Sequence, residues 1–331
     1  MNKSKALTIA LIVVLVALAA CAWFMFGNVG GISYPDADKY TAGDTTIASG
    51  VENLFVDWTA GAVNIEFHNG EEITVSETAN RTLSDDEKLR WWLDGNTLRI
   101  RYSKPGIRLS LDSGKVLTVS LPKDLVLSSA DIGSTSGDLQ ISSLTADEIR
   151  LNSTSGNIEA YVTTPKLTAA STSGDMNLSP DEGIETVKLG STSGSIFCAL
   201  GDAREVIADS TSGGVQITSF GEIDNLEIRT TSGSVYTDIA KVKKMYSRST
   251  SGTFNGNIVS FSEAKIDSTS GNVIVNLLPE TGFTCKVSTS SGSFSSDLSL
   301  TKDGNTYTCG DGKAPLSIST SSGSIRLGEI Q

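Results

Sequence analysis

Histidine is almost absent from this 331-residue chain: His68 is the only one. A metal or acid–base centre assembled from several histidines is therefore excluded. Cysteine is scarce too, at four residues, too few for the dense disulfide framework of a small secreted domain. Basic residues are outnumbered, 26 Lys plus Arg against 38 Asp plus Glu, for a formal charge of −12. That balance lacks the basic footprint of a nucleic-acid-binding protein. Proline is low at 7 while glycine is high at 32, a combination that suits a turn-rich β protein better than a disordered chain.

One long apolar run is present. Lys3 and Lys5 precede an uninterrupted stretch from Ala6 to Phe26, about the length needed to cross hydrocarbon as a helix. Lysines before it and acidic residues after it predict a cytoplasmic start and an exported body. Inside the run, "LAAC" (Leu18 to Cys21) resembles the bacterial lipobox, in which cleavage leaves a lipid-bearing cysteine at the new N-terminus. The chain stays apolar after Cys21 ("AWFMF"), which favours an uncleaved signal anchor over a lipoprotein. Both readings tether residues 1–28 to the membrane, with 29–46 as a linker. Cys198 falls at a core position; Cys285 and Cys309 are the one plausible disulfide pair, with two buried free thiols as the alternative.

The dominant feature is an internal repeat. The motif S-T-S-G, or a close copy, ends on Gly137, Gly156, Gly174, Gly194, Gly213, Gly233, Gly252, Gly271, Gly292 and Gly323. The intervals are 19, 18, 20, 19, 20, 19, 19, 21 and 31 residues, a regularity that marks a stacked repeat. Two residues after each glycine the chain is always apolar, from Leu139 to Ile325; seven before, it is again always apolar, from Ala130 to Leu316. Five before, Ser247 is the one polar exception. Positions −7 and −5 share one face of a strand, and no 3.6-residue period fits these columns. Nineteen residues are too few for a strand, crossover helix and strand. The period predicts an all-β chain, a parallel β-helix or β-solenoid in which each coil turns at its STSG corner.

Within that corner, continued alternation predicts that Ser/Thr at −3 and Ser at −1 face inward, leaving the −2 row, Thr135 to Thr269, outside. Glycine at the corner is expected to supply a positive φ. The hydroxyls are expected to bond the backbone and one another up the stack. A serine nucleophile would need a base and an oxyanion hole, and ten equivalent serines single out none. The residue after glycine varies (Asp138, Asn157, Asp175, Ser195, Gly214), so no calcium-binding carboxylate ladder is present. No clustered Asp, Arg and Lys of the polysaccharide-cleaving β-helix type recurs. No catalytic, metal or cofactor residue is assigned.

Residues 47–130 read as a divergent N-terminal portion of the same stack or a β cap on it. "LFVDWTAGAVNIEF" repeats the apolar columns around Gly61, and Gly61 to Gly137 is 76 residues, four periods of 19. Ser84 and Glu87 have capping-box spacing for one helical turn. Trp91 and Trp92 are expected to cover the end of the core. Residues 131–331 then hold the ten coils. "KDGN" (Lys302 to Asn305) predicts a hairpin within 298–312, in the one enlarged interval. It is expected to fold over the C-terminal edge, clipped by Cys285–Cys309 if those two are bonded. Lys241, Lys243, Lys244 and Arg248 form a small basic patch, a solvated face by default and an anionic-polymer contact as the alternative.

An N-terminal anchor, a divergent β segment and tandem STSG coils resemble the bacterial surface family known as putative adhesins, a domain of unknown function with a β-helical fold. The resemblance covers roughly residues 47–330. It implies a non-enzymatic, membrane-anchored cell-surface module with no catalytic residues to carry over and no cofactor. Its partners would be the membrane, through the N-terminal helix, and a surface or envelope component. Links of some relatives to envelope stress imply the alternative of an extracytoplasmic sensor or regulator that binds a peptide, lipid or protein. A polysaccharide-acting enzyme is the third reading and would need converging carboxylates in a cleft.

Overall fold

The computed structural model describes residues 33–106, 114–181 and 183–330. These are all-β apart from three single-turn 3-10 helices at Ala37–Lys39, Asp85–Glu87 and Pro279–Thr281. The segment expected to be an anchor, Cys21 included, lies outside the described residues. Among the described residues no helix is long and apolar enough to cross a membrane.

Each coil contributes one strand before its glycine and one after, and both pair in parallel with the same strands of the next coil. Ile149 pairs with Leu167, Leu167 with Val187 and Val187 with Val206 in the ladder before the corner. Leu139 pairs with Ile158, Ile158 with Met176 and Met176 with Ile196 in the ladder after it. In-register stacking of identical columns explains why the −7 and +2 positions are all apolar and the −5 positions apolar in every coil but one. Those side chains pile into one continuous core, with Ile149, Val187, Val206, Met176, Ile196 and Val215 fully buried. Ser247 at −5 is also buried.

The order of coils in space departs from the order in sequence at both ends. At the C-terminus the Gly323 coil slots between those of Gly271 and Gly292. Ala314–Thr320 pairs on one side with Phe254–Ser268 and on the other with Phe283–Thr289. Ile325–Glu329 likewise lies between Val273–Leu277 and Phe294–Ser296. The 31-residue interval is thus the path by which the chain overshoots, reverses and returns. At the N-terminus the strands around Gly61 (Asn53–Trp58 and Val63–His68) lie directly against the Gly137 coil. The later strands Thr97–Arg101 and Val116–Pro122 stack outside them. The 76 residues from Gly61 to Gly137 therefore do not hold four successive coils; one returning coil and a cap fill them.

Antiparallel strands close both ladders at the N-terminal end and the ladder before the corner at the C-terminal end. Arg90–Asp94 covers Thr97–Arg101, and Ile73–Thr78 covers Val116–Pro122. Trp91 packs on the core, and Trp92 meets Tyr40 edge-on at 5.6 Å between ring centroids. The Glu87 carboxylate accepts hydrogen bonds from the Ser84 N–H (2.9 Å) and hydroxyl (2.8 Å), so the capping box forms. At the far end the hairpin Thr301–Asp303 with Thr306–Cys309 lays its second strand antiparallel on the outermost strand, Phe283–Thr289. It covers the edge without a disulfide, for Cys285 and Cys309 are free. The register puts Cys309 opposite Phe283 and Cys285 opposite Tyr307, making the cysteines diagonal neighbours. Diagonal pairs stand roughly 7–8 Å apart, beyond the usual Cα reach of a disulfide.

An uncovered parallel edge is a template for another chain. Replacing residues 298–312 by a short Gly/Ser linker should therefore convert a monodisperse solenoid body into one that self-associates with concentration, as read by light scattering. A body that keeps the mass of the parent would remove the hairpin's role as an edge cover.

Candidate functional site

Two outward surfaces are candidates, one of repeated and one of varied chemistry. The first is the STSG corner. The −3 hydroxyl points inward as expected, and in five coils (Ser134, Ser249, Ser268, Thr289, Thr320) it accepts the N–H of its own glycine at 2.8–3.1 Å. Ser191 and Ser210 instead donate to their glycine's carbonyl. Thr289 and Thr320 also donate to the glycine carbonyl of the adjacent coil, at 3.0 and 3.1 Å. Ser153, Ser171 and Thr230 have a buried hydroxyl that makes no hydrogen bond.

The −1 serine does not face inward. Ser136, Ser155, Ser173 and their equivalents are exposed in all ten coils. Strand alternation ends at −3, and the bend that follows turns −2 and −1 both outward. Backbone pairing continues around it: Thr154 N–H donates to Ser134 O and Ser155 N–H to Thr135 O. The edge thus shows a double row of hydroxyls, Thr or Ser at −2 beside Ser at −1.

Nor is the corner glycine there for a positive φ. None of the ten is among the described glycines with φ in the left-handed region. What each requires is space. A Cβ on Gly194 would fall deep inside the van der Waals radius of the Gly174 carbonyl oxygen, and one on Gly213 inside that of Gly194. This column of glycines, carbonyl against Cα, runs from Gly61 through Gly137 to Gly271, then Gly323, then Gly292.

The +1 position is a structural ladder as well. Asp138 accepts the Asn157 N–H at 2.7 Å, Asn157 the Asp175 N–H at 2.9 Å, and Asp175 the Ser195 N–H at 2.7 Å. Asp and Asn recur in this column because each caps the amide of the adjacent coil, as Asn272 does for Ser324 at 2.9 Å; Gly214 has no side chain to do so.

The second surface is the outer face of the ladder after the corner. Its +3 row runs in register as Gln140, Glu159, Asn177, Phe197, Gln216, Tyr236 and Asn255. Phe197 is 41% exposed and Tyr236 49%; Tyr161, in the +5 row, is 51% exposed. A shallow groove of about 490 Å³ lies at their centre, lined by Asn157, Glu159, Asp175, Asn177, Phe197 and Gln216 among others. From Gln140 to Asn276 the +1, +3 and +5 rows contain no lysine or arginine. The outer face of the other ladder is the opposite, laced with ion pairs such as Arg229–Asp209 (2.6 Å), Arg229–Glu227 (3.0 Å) and Lys265–Asp267 (2.9 Å). The repeat motif drew attention to the corner; the +3 column, read down the coils, was the signal for this face.

The remaining candidates are accounted for by packing. Lys241 and Lys243 are paired with Glu222 and Asp224 of the preceding coil at 2.5–3.0 Å, so half of the basic patch is neutralised. The buried thiols of Cys198 and Cys285 are pushed up to about 12 by burial, which keeps them protonated and unreactive. Burial and Glu280 also raise Cys309. His68 is held locally, its Nδ1 accepting the Gly70 N–H at 2.9 Å. Lys115, which drew no notice in the sequence, is buried at the N-terminal end of the glycine column. Its Nζ donates to the carbonyls of Tyr102 (2.6 Å) and Glu87 (2.7 Å) and lies 2.7 Å from Glu77 Oε2.

No curated protein matches the chain. Among solved structures, a putative adhesin from Parabacteroides merdae is 10% identical with a TM-score of 0.48, and one from Parabacteroides distasonis is 13% identical with a TM-score of 0.47. Each comparison covers 88% of this chain and 97% of the other. A putative cell adhesion protein from Clostridium sporogenes is 13% identical over 88% of this chain and 100% of its own, with a TM-score of 0.22. The family described as Toastrack DUF4097 matches residues 51–197 and again 163–328, spanning nearly the whole stack. With its coils in register and its glycine column continuous across both matched segments, the chain belongs to the Toastrack DUF4097 family.

Proposed function

We propose that this protein is a non-enzymatic surface module whose N-terminal segment crosses the cell membrane once and whose solenoid stands outside the cytoplasm, where it adheres to a surface or envelope component. The observation that carries this reading is the repetition of outward chemistry. Ten coils offer the same corner hydroxyls at a fixed interval of about 4.8 Å. Repeated weak contacts along one rod add through effective concentration, which suits adhesion better than recognition of a single small molecule. The apolar run from Ala6 to Phe26, with Lys3 and Lys5 before it, supports the topology. Regulation through the basic patch is less favoured, because Lys241 and Lys243 are already spent on Glu222 and Asp224.

The test uses the full chain expressed in a bacterial host. The protein should sediment with membranes, and protease added to intact cells should degrade the solenoid. Cys21→Ala with a fatty-acid label separates the two anchors: retained membrane association without label marks a signal anchor, and label lost on substitution marks a lipoprotein. A solenoid that is protected in intact cells and released by lysis into the soluble fraction would overturn the proposal.

A further inference from the structure

The face after the corner combines three features that together specify a ligand class. First, its exposed rings are regularly placed. Phe197 and Tyr236 share the +3 row with one coil between them, that of Gln216. Tyr161 lies on the same face two coils before Phe197, past the strand Met176–Pro180. Two strand spacings put successive rings about 9–10 Å apart along the stack. That interval matches one disaccharide of an extended, β-linked pyranose chain, in which alternate rings turn the same C–H face toward a flat surface.

Second, planar hydrogen-bonding groups flank the rings. Glu159, Asn177 and Gln216 line or border the groove, and their side chains have no hydrogen-bond or ion-pair partner among the described residues. A carboxylate or primary amide can engage two neighbouring hydroxyls, or a hydroxyl and an acetamido group, of one sugar. Aromatic rings with such groups between them form the mixed apolar and polar surface that a pyranose presents in complement.

Third, the charge on this face has one sign. The +1, +3 and +5 rows carry Asp138, Glu159, Asp175 and Asp238 and no cation from Gln140 to Asn276. Anionic polymers and anionic lipid surfaces would meet only carboxylates here, and like charges brought together are disfavoured. Lysines and arginines are plentiful on the opposite face, so the exclusion is local to this one.

We infer that the outer face of the post-corner ladder, centred on Phe197 and Tyr236, binds an uncharged β-linked polysaccharide, plain or N-acetylated, lengthwise along the stack. This deepens the adhesive reading above and rests on it. The occupant is a glycan chain, because ring spacing, amide fringe and charge sign all point the same way.

The experiment measures binding of chitohexaose and cellohexaose to the full chain in detergent micelles by calorimetry, with heparin as the anionic comparison. Saturable binding to one of the neutral hexasaccharides is expected, with Phe197→Ala and Tyr236→Ala each weakening it roughly tenfold. Tyr246→Ala, on the ion-paired face, should leave affinity unchanged. Both ring variants are surface truncations, and circular dichroism checks that they remain folded. Binding equal in parent and ring variants, binding to heparin alone, or no binding to either hexasaccharide overturns the inference. Those outcomes leave the membrane and protease results untouched, so failure of the glycan face and failure of the surface assignment are separate findings.

Discussion

Replacing Gly213 with alanine is expected to destabilise the solenoid by roughly 3 kcal/mol or more, the upper range for forcing an extra carbon into packed structure. The new Cβ would collide with the Gly194 carbonyl, a backbone atom fixed by its own ladder, so no side chain can swing aside. Relief requires the coils to separate at the corner, which loosens the backbone bonds from Thr211 to Ser191 and from Ser212 to Thr192 as well. Asparagine distinguishes this cause from a conformational one. At a glycine held in the left-handed region asparagine is the mildest replacement, so Gly304→Asn in the hairpin turn (φ 58, open space) should cost little. Gly213→Asn should cost at least as much as Gly213→Ala. Urea denaturation of the four proteins reads the difference. A mild Gly213→Asn beside a severe Gly213→Ala would mean that backbone conformation, and not carbonyl contact, selects glycine at the corner.

The distinction also shows where local sequence carries information and where it does not. The apolar columns at −7, −5 and +2 were legible because register stacking turns a 19-residue period directly into a core. The glycine was legible as invariant, but its reason lay in a contact between coils, invisible from one coil alone. Parity along the strand correctly placed the −3 hydroxyl. It failed at −1 because a bend consumes residues without preserving alternation, and Ser136 to Ser322 all turn out to solvent. The reversed order of the last two coils was illegible for a different reason. The Gly292 and Gly323 coils carry the same consensus, so pattern cannot say which of them meets Gly271; the long interval signalled only that something unusual intervened. The aromatic and amide face was written in the +3 column. Its residues vary, and attention to what repeats passes over what varies.

Lys115 is the residue whose importance arises wholly from long-range contact. Its carbonyl begins the glycine column against Gly61, and its side chain runs inward beneath Trp58 and Tyr102, with Nζ 5.0 and 4.2 Å from the two ring centroids. The ammonium binds the carbonyls that end the capped turn and the Tyr102 strand, and Glu77 on the antiparallel cap supplies the countercharge. One side chain therefore joins three pieces of the N-terminal cover. Lys115→Met should cost about 3–5 kcal/mol, because it strands the Glu77 carboxylate in a buried site. The double variant Lys115→Met, Glu77→Gln should recover much of that loss, since glutamine still accepts the Leu89 N–H that Glu77 Oε1 accepts at 2.7 Å. Alkaline titration gives a second readout. Burial pushes Lys115 below the ordinary lysine range, against the upward pull of Glu77. Between the folded and unfolded pKa values the unfolded chain binds more protons, so stability attributable to Lys115 rises with pH across that window and is flat below it. The stability difference between parent and Lys115→Met should therefore grow in the parent's favour as pH climbs toward the ordinary lysine pKa. A difference that shrinks over that range would mean that the pair with Glu77 outweighs desolvation. A double variant no better than Lys115→Met would place the loss in packing under Trp58 and not in the stranded charge.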